Sequence, residues 1–440
     1  MKGIHVAVTR TSWSNWAGTA SCSAARIVSP ASTAEVVAAI QAAADDGLPI
    51  KAVGSGHSFT SAAATSGVRV ELSSLSSLVS VDRDLRQVTV QAGMRLSALN
   101  ALLASHGLAL PNLGDIDAQT ISGALATGTH GTGAGFGCLS TFVAALELVT
   151  GTGEVIRCSP VDRPDIFSAA LVNVGALGVV TEVTLRCVDA FILRAEERPS
   201  SLSPVLSSLD SHVSGNDHFE FYWFPYTDRV QIKRNNRVPV SDAPLSRFRG
   251  WLDDEFLSNQ VFAAACRVGR LAPFTVPTIT RISARALSPR VYTGRSHEIF
   301  CTPRQVRFVE MEYGVPRAAL PSVFSALRQI VDSLPFKVVF PVEVRFTAAD
   351  DIWLSHGYGR ESAYIAIHQY VGMPYVPYFR AFEELVMGFE GRPHWGKQHF
   401  QDASYLASAY PRFGEFCAVR DKLDPDRRFA NEYTSQIFGR

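Results

Sequence analysis

The 440-residue sequence predicts an α+β protein of two domains, followed by a short C-terminal segment. Two observations support this prediction. The helices and Val-rich strands of the first part do not alternate as a regular βαβ series. Near residue 190 the character changes, and the aromatic-rich, strand-like runs that follow indicate an antiparallel sheet. The predicted divisions are residues 1–189, 190–403 and 404–440.

The elements of the first domain follow from local signals. Ser32 and Glu35 have the spacing of a capping box and predict a helix over residues 32–47, which Gly47 and Pro49 end. Strands are predicted at 50–53, 68–72, 88–92 and 179–188, and further helices at 95–106 and 165–172. Residues 143–149 and 155–158, joined by a Gly-Thr-Gly turn, predict a hairpin. The glycine-rich stretch 111–137 predicts loops.

The second domain begins with the aromatic run 219–226, Phe-Glu-Phe-Tyr-Trp-Phe-Pro-Tyr. Further strands are predicted at 306–313, 338–346 and 363–370, because β-branched and aromatic residues dominate there. Helices near 316–333 and 376–390 separate them. A last helix is predicted near 411–423, in the C-terminal segment.

Composition excludes several classes of function. Lys plus Arg and Asp plus Glu both number 41, and this zero net charge argues against a nucleic-acid partner. Seven widely spaced cysteines without a C-x-x-C pair indicate reduced thiols rather than a disulfide framework or a zinc site. The first thirty residues carry no secretory signal, and the longest apolar stretch, 169–180, is too short to span a bilayer. We therefore expect a cytoplasmic bacterial protein.

The first motif that can carry chemistry is Gly54-Ser55-Gly56-His57-Ser58. Its glycines permit a tight turn and bare the backbone N–H groups, which suits contact with a phosphate. An ordinary glycine turn is the alternative. A serine hydrolase with Ser58 as nucleophile needs the pattern G-x-S-x-G, but Thr60 stands at the last position, which argues against that reading.

The second motif is the alternating Gly and Thr segment 127–135, which can also cradle a pyrophosphate. It is neither a Walker loop nor G-x-G-x-x-G, so a nucleotide would not be held by a P-loop or a Rossmann domain. His130 within it is expected to be a packed loop histidine rather than a catalytic one. No metal is expected, because the histidines are scattered along the chain.

The third motif joins two distant segments. Glu343 and Arg345, two apart on a predicted strand, point to the same side, so a carboxylate and a guanidinium project together. Lys397 stands in the sequence His-Trp-Gly-Lys, although only six of the 41 basic residues are Lys. A point charge there can polarise a substrate oxygen. A surface ion pair and a surface lysine are the alternatives.

Taken together, these segments resemble the vanillyl-alcohol-oxidase-type flavoproteins, and more closely their sugar-1,4-lactone oxidase group. That group includes gulonolactone oxidases and dehydrogenases, D-arabinono-1,4-lactone oxidases and alditol oxidases. The resemblance covers nearly the whole chain. Besides the three motifs it rests on segments in matching order: 13–18 (WSNWAG), 111–117 (PNLGDID), 175–181 (GALGVVT) and 423–425 (LDP).

The resemblance implies a two-domain fold, with an FAD-binding domain of the PCMH/VAO type and an antiparallel-sheet cap domain over the isoalloxazine. It also implies that the C-terminal segment 404–440 returns to the FAD domain. The cofactor is expected to be FAD, held covalently through His57. The other residues that the resemblance assigns to the cofactor are Gly54, Ser55, Gly56, Ser58, Gly114, Asp115, Gly123, Thr127, Gly128, Thr129, His130, Gly131, Thr132, Gly133, Gly178 and Val179.

The resemblance also implies the chemistry, which is oxidation of an alcohol of a sugar-1,4-lactone by hydride transfer to flavin N5. Arg345 and Lys397 are expected to hydrogen-bond the reacting oxygen, and Glu343 to accept from adjacent hydroxyls. His368 is expected to contact the substrate or to support a residue that does. Oxygen or another acceptor reoxidises the flavin. A non-catalytic flavin-binding protein is disfavoured, because Glu343, Arg345 and Lys397 are all present.

Two departures from the alditol oxidases bear on the substrate. Gly114 and Asp115 stand where those enzymes have Ala-Ser beside the flavin. The added charge of Asp115 favours a lactone, and an alditol is the alternative substrate. Gly114 lacks a methyl group that would obstruct oxygen, so we expect an oxidase-competent site.

Overall fold

The computed structural model describes residues 12–239, 262–302 and 306–439. Within those ranges no helix combines the length and the apolar character that a membrane span requires. The described chain is organised around three main sheets, of which the largest follows residue 190.

The N-terminal part is built on two of these sheets. A parallel sheet has the strand order Arg26–Val28, Val68–Glu71, Ile50–Val53. An antiparallel sheet has the order Val155–Cys158, Val143–Val149, Val179–Arg186, Gln87–Gln91, Leu78–Asp82. Short strands lie at Ser12–Ser14, Ser21–Ser23, Leu108–Ala109 and Val188–Asp189. The helices of this part are Thr33–Asp45, Leu96–Ser105, Ile121–Ala126 and Pro164–Ala170.

An antiparallel sheet of eight strands dominates the next two hundred residues. Its order is Arg290–Arg295, Ile192–Ser201, Arg229–Val238, His218–Trp223, Val342–Thr347, Ser362–Tyr370, Phe308–Pro316, Arg392–Pro393. The described helices of this part are Leu202–Ser207, Leu209–Ser214, Phe262–Leu271, Val276–Ala286, Ser296–Phe300, Leu320–Ser333 and Val376–Met387.

The two faces of this sheet differ because side chains alternate along a strand. On strand Phe308–Pro316, Val309 and Met311 belong to an apolar core that includes residues of helices Leu320–Ser333 and Val376–Met387. We call this side the helix face. Glu310 and Glu312 alternate with them and are buried on the opposite side, which we call the polar face.

The C-terminal segment packs on the N-terminal part. Its helices are Ala403–Ala409, Phe413–Leu423 and Glu432–Phe438, and their apolar side chains share a core with helix Leu96–Ser105. The Ile50 N–H donates to the Arg428 carbonyl at 2.8 Å. The Asn431 amide donates to the Ser61 carbonyl at 2.9 Å. These contacts place the end of the chain beside the strand that leads into the first glycine motif.

Most predicted elements are present, with two instructive differences. The hairpin over 143–158 and the helix capped by Ser32 are confirmed. The strand predicted from residue 338 begins only at Val342, because Pro341 has no N–H for a ladder bond. The predicted loop 111–137 contains helix Ile121–Ala126, whose six residues and central glycine give too short a pattern to recognise. The domain divisions stay predictions.

Candidate active site

The first glycine motif forms a turn rich in unused backbone donors. Strand Ile50–Val53 ends at Gly54, and the N–H groups of residues 54–58 donate to no acceptor among the described residues. Gly56 has φ of +69°, which favours glycine. A Cβ at Gly54 would lie 2.2 Å from Thr120 Oγ1, so the close approach at this turn also requires glycine.

This turn lines a cavity of about 110 Å³. The predicted residues of the turn form part of its wall. Residues from three other segments complete the wall, among them Gly123 and Thr127. The buried Ser55 Oγ has no hydrogen-bond partner among the described residues. An open hydroxyl beside five open N–H groups suits the oxygens of a pyrophosphate.

His57 lies half-buried on the wall of this cavity, and its ring stacks on Trp16 with centroids 5.8 Å apart. Burial lowers the pKa of His57, and the charges of Arg95 and Lys397 lower it further. The imidazole is therefore neutral near pH 7, which is the nucleophilic form of histidine.

Lys51 is a cavity residue that sequence reasoning missed. It is buried on the same wall, and its Nζ donates to the Gly175 carbonyl at 3.2 Å. Burial lowers the pKa of Lys51 to about 7. The scarcity of Lys was a signal that could have marked it, since a buried Lys on the strand before a glycine turn is as unusual as Lys397.

The second glycine motif crosses the polar face of the eight-stranded sheet. The Thr132 hydroxyl donates to the Phe219 carbonyl, and the Gly133 N–H donates to the Phe346 carbonyl at 2.7 Å. The N–H groups of residues 130–132 donate to no described acceptor. The loop therefore joins the two parts of the molecule and keeps some donors open.

A cavity of about 510 Å³ lies on the polar face. Five predicted residues line it together: Asp115, Glu343, Arg345, His368 and Lys397. Glu343 and Arg345 do share one side of their strand, and they form an ion pair. Both are buried, so the alternative of a surface ion pair is wrong for this pair. Lys397 lies on the cavity wall rather than on an open surface.

Carboxylates surround the guanidinium of Arg345. Its Nε lies 3.1 Å from Glu220, and its Nη2 lies 3.4 Å from Asp115 and also pairs with Glu343. Burial alone would lower the pKa of Arg345, but these carboxylates raise it well above its ordinary value. These ion pairs hold the charged guanidinium on the wall of the cavity.

Lys397 and His368 meet at Glu310, which sequence reasoning also missed. One Glu310 oxygen pairs with Lys397, and the other lies 3.3 Å from His368 Nε2. Burial alone would raise the pKa of Glu310, but the Lys397 and His368 charges lower it to about 2. Glu310 and Glu312 in turn raise the pKa of Lys397 against the effect of burial, so the ammonium stays charged.

Several predicted cofactor residues lie elsewhere. Gly114, Gly131 and Thr132 line a narrow cleft with Asp115 and Arg345. Gly178 and Val179 lie outside the cavities described above. A Cβ at Gly178 would lie 2.4 Å from the Val149 carbonyl oxygen, so packing alone explains this glycine. All the predicted cofactor contacts stay predictions, including those of the residues that line no described cavity: Gly128, Thr129, His130, Gly133, Gly178 and Val179.

His130 is buried beside Glu312, with its Nε2 3.2 Å from a carboxylate oxygen. The ligand atoms of His130, Glu312 and His394 all lie within 4.8 Å of one another. The sequence argument against a metal, that the histidines are scattered, is therefore wrong for this group. His130 Nδ1 also contacts the Gly131 carbonyl, and His394 Nδ1 accepts from the Gly396 N–H, so internal hydrogen bonds explain the cluster.

Ser58 has no catalytic partner for hydrolase chemistry. Within the described ranges no histidine forms a hydrogen bond with its hydroxyl, and its carbonyl accepts from the Asn15 amide at 2.9 Å. A nucleophilic serine requires an adjacent base, so the hydrolase alternative has no support here.

The chain is similar to known proteins over nearly its whole length. Residues 183–437 match the family model described as D-arabinono-1,4-lactone oxidase, and residues 24–159 match an FAD binding domain. An L-gulono-1,4-lactone dehydrogenase of Mycobacterium tuberculosis is 43% identical, covering 97% of this chain and 99% of that protein. L-gulonolactone oxidase of Mus musculus is 35% identical over 96% and 97% of the two chains. Alditol oxidase of a Streptomyces species is 31% identical over 97% and 99%.

Solved structures show the same fold at low sequence identity. Cholesterol oxidase from B. sterolicum superposes with a TM-score of 0.81 at 17% identity, covering 98% of this chain and 97% of that one. The expected FAD-binding fold with an antiparallel-sheet cap is thereby confirmed. The extent of the family match and the identity to its relatives lead to one conclusion: the chain belongs to the D-arabinono-1,4-lactone oxidase family of FAD-linked oxidoreductases.

Proposed function

We propose that this protein oxidises a carbinol of a sugar-1,4-lactone with FAD as the hydride acceptor. The observation that carries the proposal is the polar face, where Glu343, Arg345, His368 and Lys397 line one 510 Å³ cavity. Relatives named for gulonolactone and arabinonolactone oxidation support the substrate class. An alditol is the second candidate, because alditol oxidase is also a relative.

The chain fits FAD at the first glycine motif. The open N–H groups of residues 54–58 and the orphaned Ser55 hydroxyl offer donors to the two phosphates. His57, kept neutral by its lowered pKa, is proposed to hold the flavin covalently. Bound FAD supplies the electron-pair acceptor for the reaction.

The fit to FAD is testable with a matched pair of glycine variants. Gly54→Ala places a methyl group against Thr120 Oγ1, which caps helix Ile121–Ala126, and it should lower flavin content about tenfold or more. Gly414→Ala, at an exposed position outside both glycine motifs, meets nothing within 4 Å and serves as the control. Equal flavin-to-protein absorbance ratios for both variants would count against the cradle.

The protein's own residues then orient and polarise the substrate. Lys397, kept as an ammonium by Glu310, and the guanidinium of Arg345 present positive charge that favours alkoxide character at the reacting oxygen. Glu343 accepts hydrogen bonds from neighbouring hydroxyls and fixes the ring. His368 faces the same cavity and supports Lys397 through Glu310.

Asp115 distinguishes the lactone from the alditol proposal. Its carboxylate lines the cavity and lies 3.4 Å from Arg345 Nη2, so it adds negative charge beside the proposed substrate. Parallel turnover assays of aldonolactones and alditols, with oxygen and with an artificial acceptor, test this point. Faster turnover of alditols than of every lactone would favour the second candidate.

Two further measurements complete the proposal. Acid denaturation should give a yellow pellet if His57 binds FAD covalently, and a yellow supernatant if it does not. Gly114 lacks a methyl group that would obstruct oxygen, so we propose that air reoxidises the flavin rapidly. Sluggish reoxidation in stopped-flow would assign the protein to the dehydrogenases instead.

A cytoplasmic location agrees with the seven cysteines, all of which are free.

A further inference from the structure

Residues 262–286 form a helical hairpin that carries one wall of the substrate cavity. It consists of helix Phe262–Leu271, a short 3-10 turn at Pro273–Thr275 and helix Val276–Ala286. Phe262 and Ile279 line the cavity from its inner side. Cys266 and Val276 are buried in a core that includes Val339 and Phe340, so the inner side of the hairpin packs against the rest of the protein.

The outer side of this hairpin exposes large apolar side chains. Leu271 and Phe274 are 81% and 82% exposed, Ile282 is 62% exposed and Val268 is 48% exposed. We call these four residues the apolar tip. Four such residues within fifteen positions are unusual, because exposed apolar side chains on a soluble surface are normally single.

The tip is surrounded by basic residues. Arg267, Arg270, Arg281 and Arg285 are exposed on the same two helices. The sequence from 262 to 297 contains no Asp or Glu. Within the described ranges no ion pair joins Arg267, Arg281 or Arg285 to an acidic side chain. Arg281 lines a cleft that also contains Asp228 and Asp332. The positive charge on the rest of this outer side has no ion-pair partner among the described residues.

Apolar side chains projecting between arginines are the composition of helices that lie in a membrane interface, where the tip enters the acyl boundary and the arginines meet anionic headgroups. A second copy fits less well, because a two-fold contact would bring the arginines of both copies together. We propose that the 262–286 hairpin docks this protein onto an anionic phospholipid surface without spanning it.

The test is co-sedimentation of the flavin-loaded full chain with vesicles. Vesicles of phosphatidylcholine alone should bind little, and vesicles that also contain phosphatidylglycerol should bind strongly and release the protein in high salt. Leu271→Ser with Phe274→Ser should reduce the partition coefficient of the protein into the vesicles about tenfold or more. The reason is that two apolar side chains are then missing that would otherwise move from water into the acyl boundary of the membrane.

Matched controls separate docking from damage. Leu85→Ser with Val161→Ser removes two apolar side chains that are 65% and 93% exposed but lie outside the hairpin, and binding should not change. Arg267→Gln with Arg285→Gln should weaken binding and flatten its salt dependence. Turnover in solution should stay normal in the tip variant, because Leu271 and Phe274 do not line the cavity.

Three results would overturn the proposal. They are no binding to phosphatidylglycerol vesicles, equal binding to both kinds of vesicle, and equal losses in the tip variant and the Leu85/Val161 control. Light scattering gives an independent check. A self-associated wild type that the tip changes convert to a smaller species, without any vesicle binding, would assign the tip to contact between copies.

Discussion

The two faces of the eight-stranded sheet are made by the same strands but have different roles. On strand Val342–Thr347, Val344 and Phe346 enter the apolar core of the helix face, while Glu343 and Arg345 form an ion pair on the polar face. The helix face stabilises the fold by burying apolar area. The polar face holds charged side chains in place although their burial is unfavourable. Adjacent residues should therefore differ in whether they support folding or catalysis.

The largest effect should come from the helix face. Phe324 is fully buried and packs against Phe221 and Trp223, with ring centroids 5.8 and 5.5 Å away. Phe324→Ala should lower the free energy of unfolding by about 3–5 kcal/mol. Chemical denaturation measures this loss. Turnover per folded molecule should stay near wild type. A large fall in turnover at full flavin loading would contradict the assignment of the helix face to folding alone.

On the polar face, Lys397→Met should slow flavin reduction about 10²- to 10³-fold, because the charge at the reacting oxygen is lost. Flavin should remain bound, and anaerobic stopped-flow measures the rate. The double variant Lys397→Met, Glu310→Gln removes the buried carboxylate left behind and is the control for folding. A near-normal reduction rate in either variant would refute the role of Lys397.

Glu310→Gln should have a smaller effect, about tenfold on the rate of flavin reduction, because it acts through Lys397. The pH dependence of the flavin reduction rate distinguishes this supporting role. Glu310 raises the pKa of Lys397 while burial lowers it, so the variant's lysine should deprotonate at lower pH. The rate should then fall earlier on the alkaline side than in wild type. An unchanged alkaline limb would mean that Glu310 does not support the ammonium.

The smallest effect should come from Tyr313, whose hydroxyl donates to Glu383 at 2.5 Å on the helix face. Tyr313→Phe should cost about 1–3 kcal/mol of unfolding free energy, because one buried acceptor loses a donor. Glu383 keeps its bond from the Phe400 N–H, which limits the loss. Thermal unfolding measures the change, and a loss of turnover would contradict the assignment of this face.

The sequence predicted what depends on local pattern and missed what depends on register. Alternation placed Glu343 and Arg345 on one side of a strand, and the glycine turn followed from its own residues. Glu310 became visible only when antiparallel pairing set it opposite His368. The pair Glu310 and Glu312, alternating within an otherwise apolar strand, was the available signal. Lys51 and the cluster around His130 likewise depend on contacts between segments far apart in sequence.

The most direct test of the central claim is anaerobic flavin reduction by an aldono-1,4-lactone, with and without deuterium at the reacting carbon. The claim is that the polar face orients a lactone carbinol for hydride transfer to FAD. It predicts rapid loss of the yellow absorbance and a primary isotope effect on that rate. Absence of reduction by every aldonolactone, or a rate indifferent to deuterium, would contradict it.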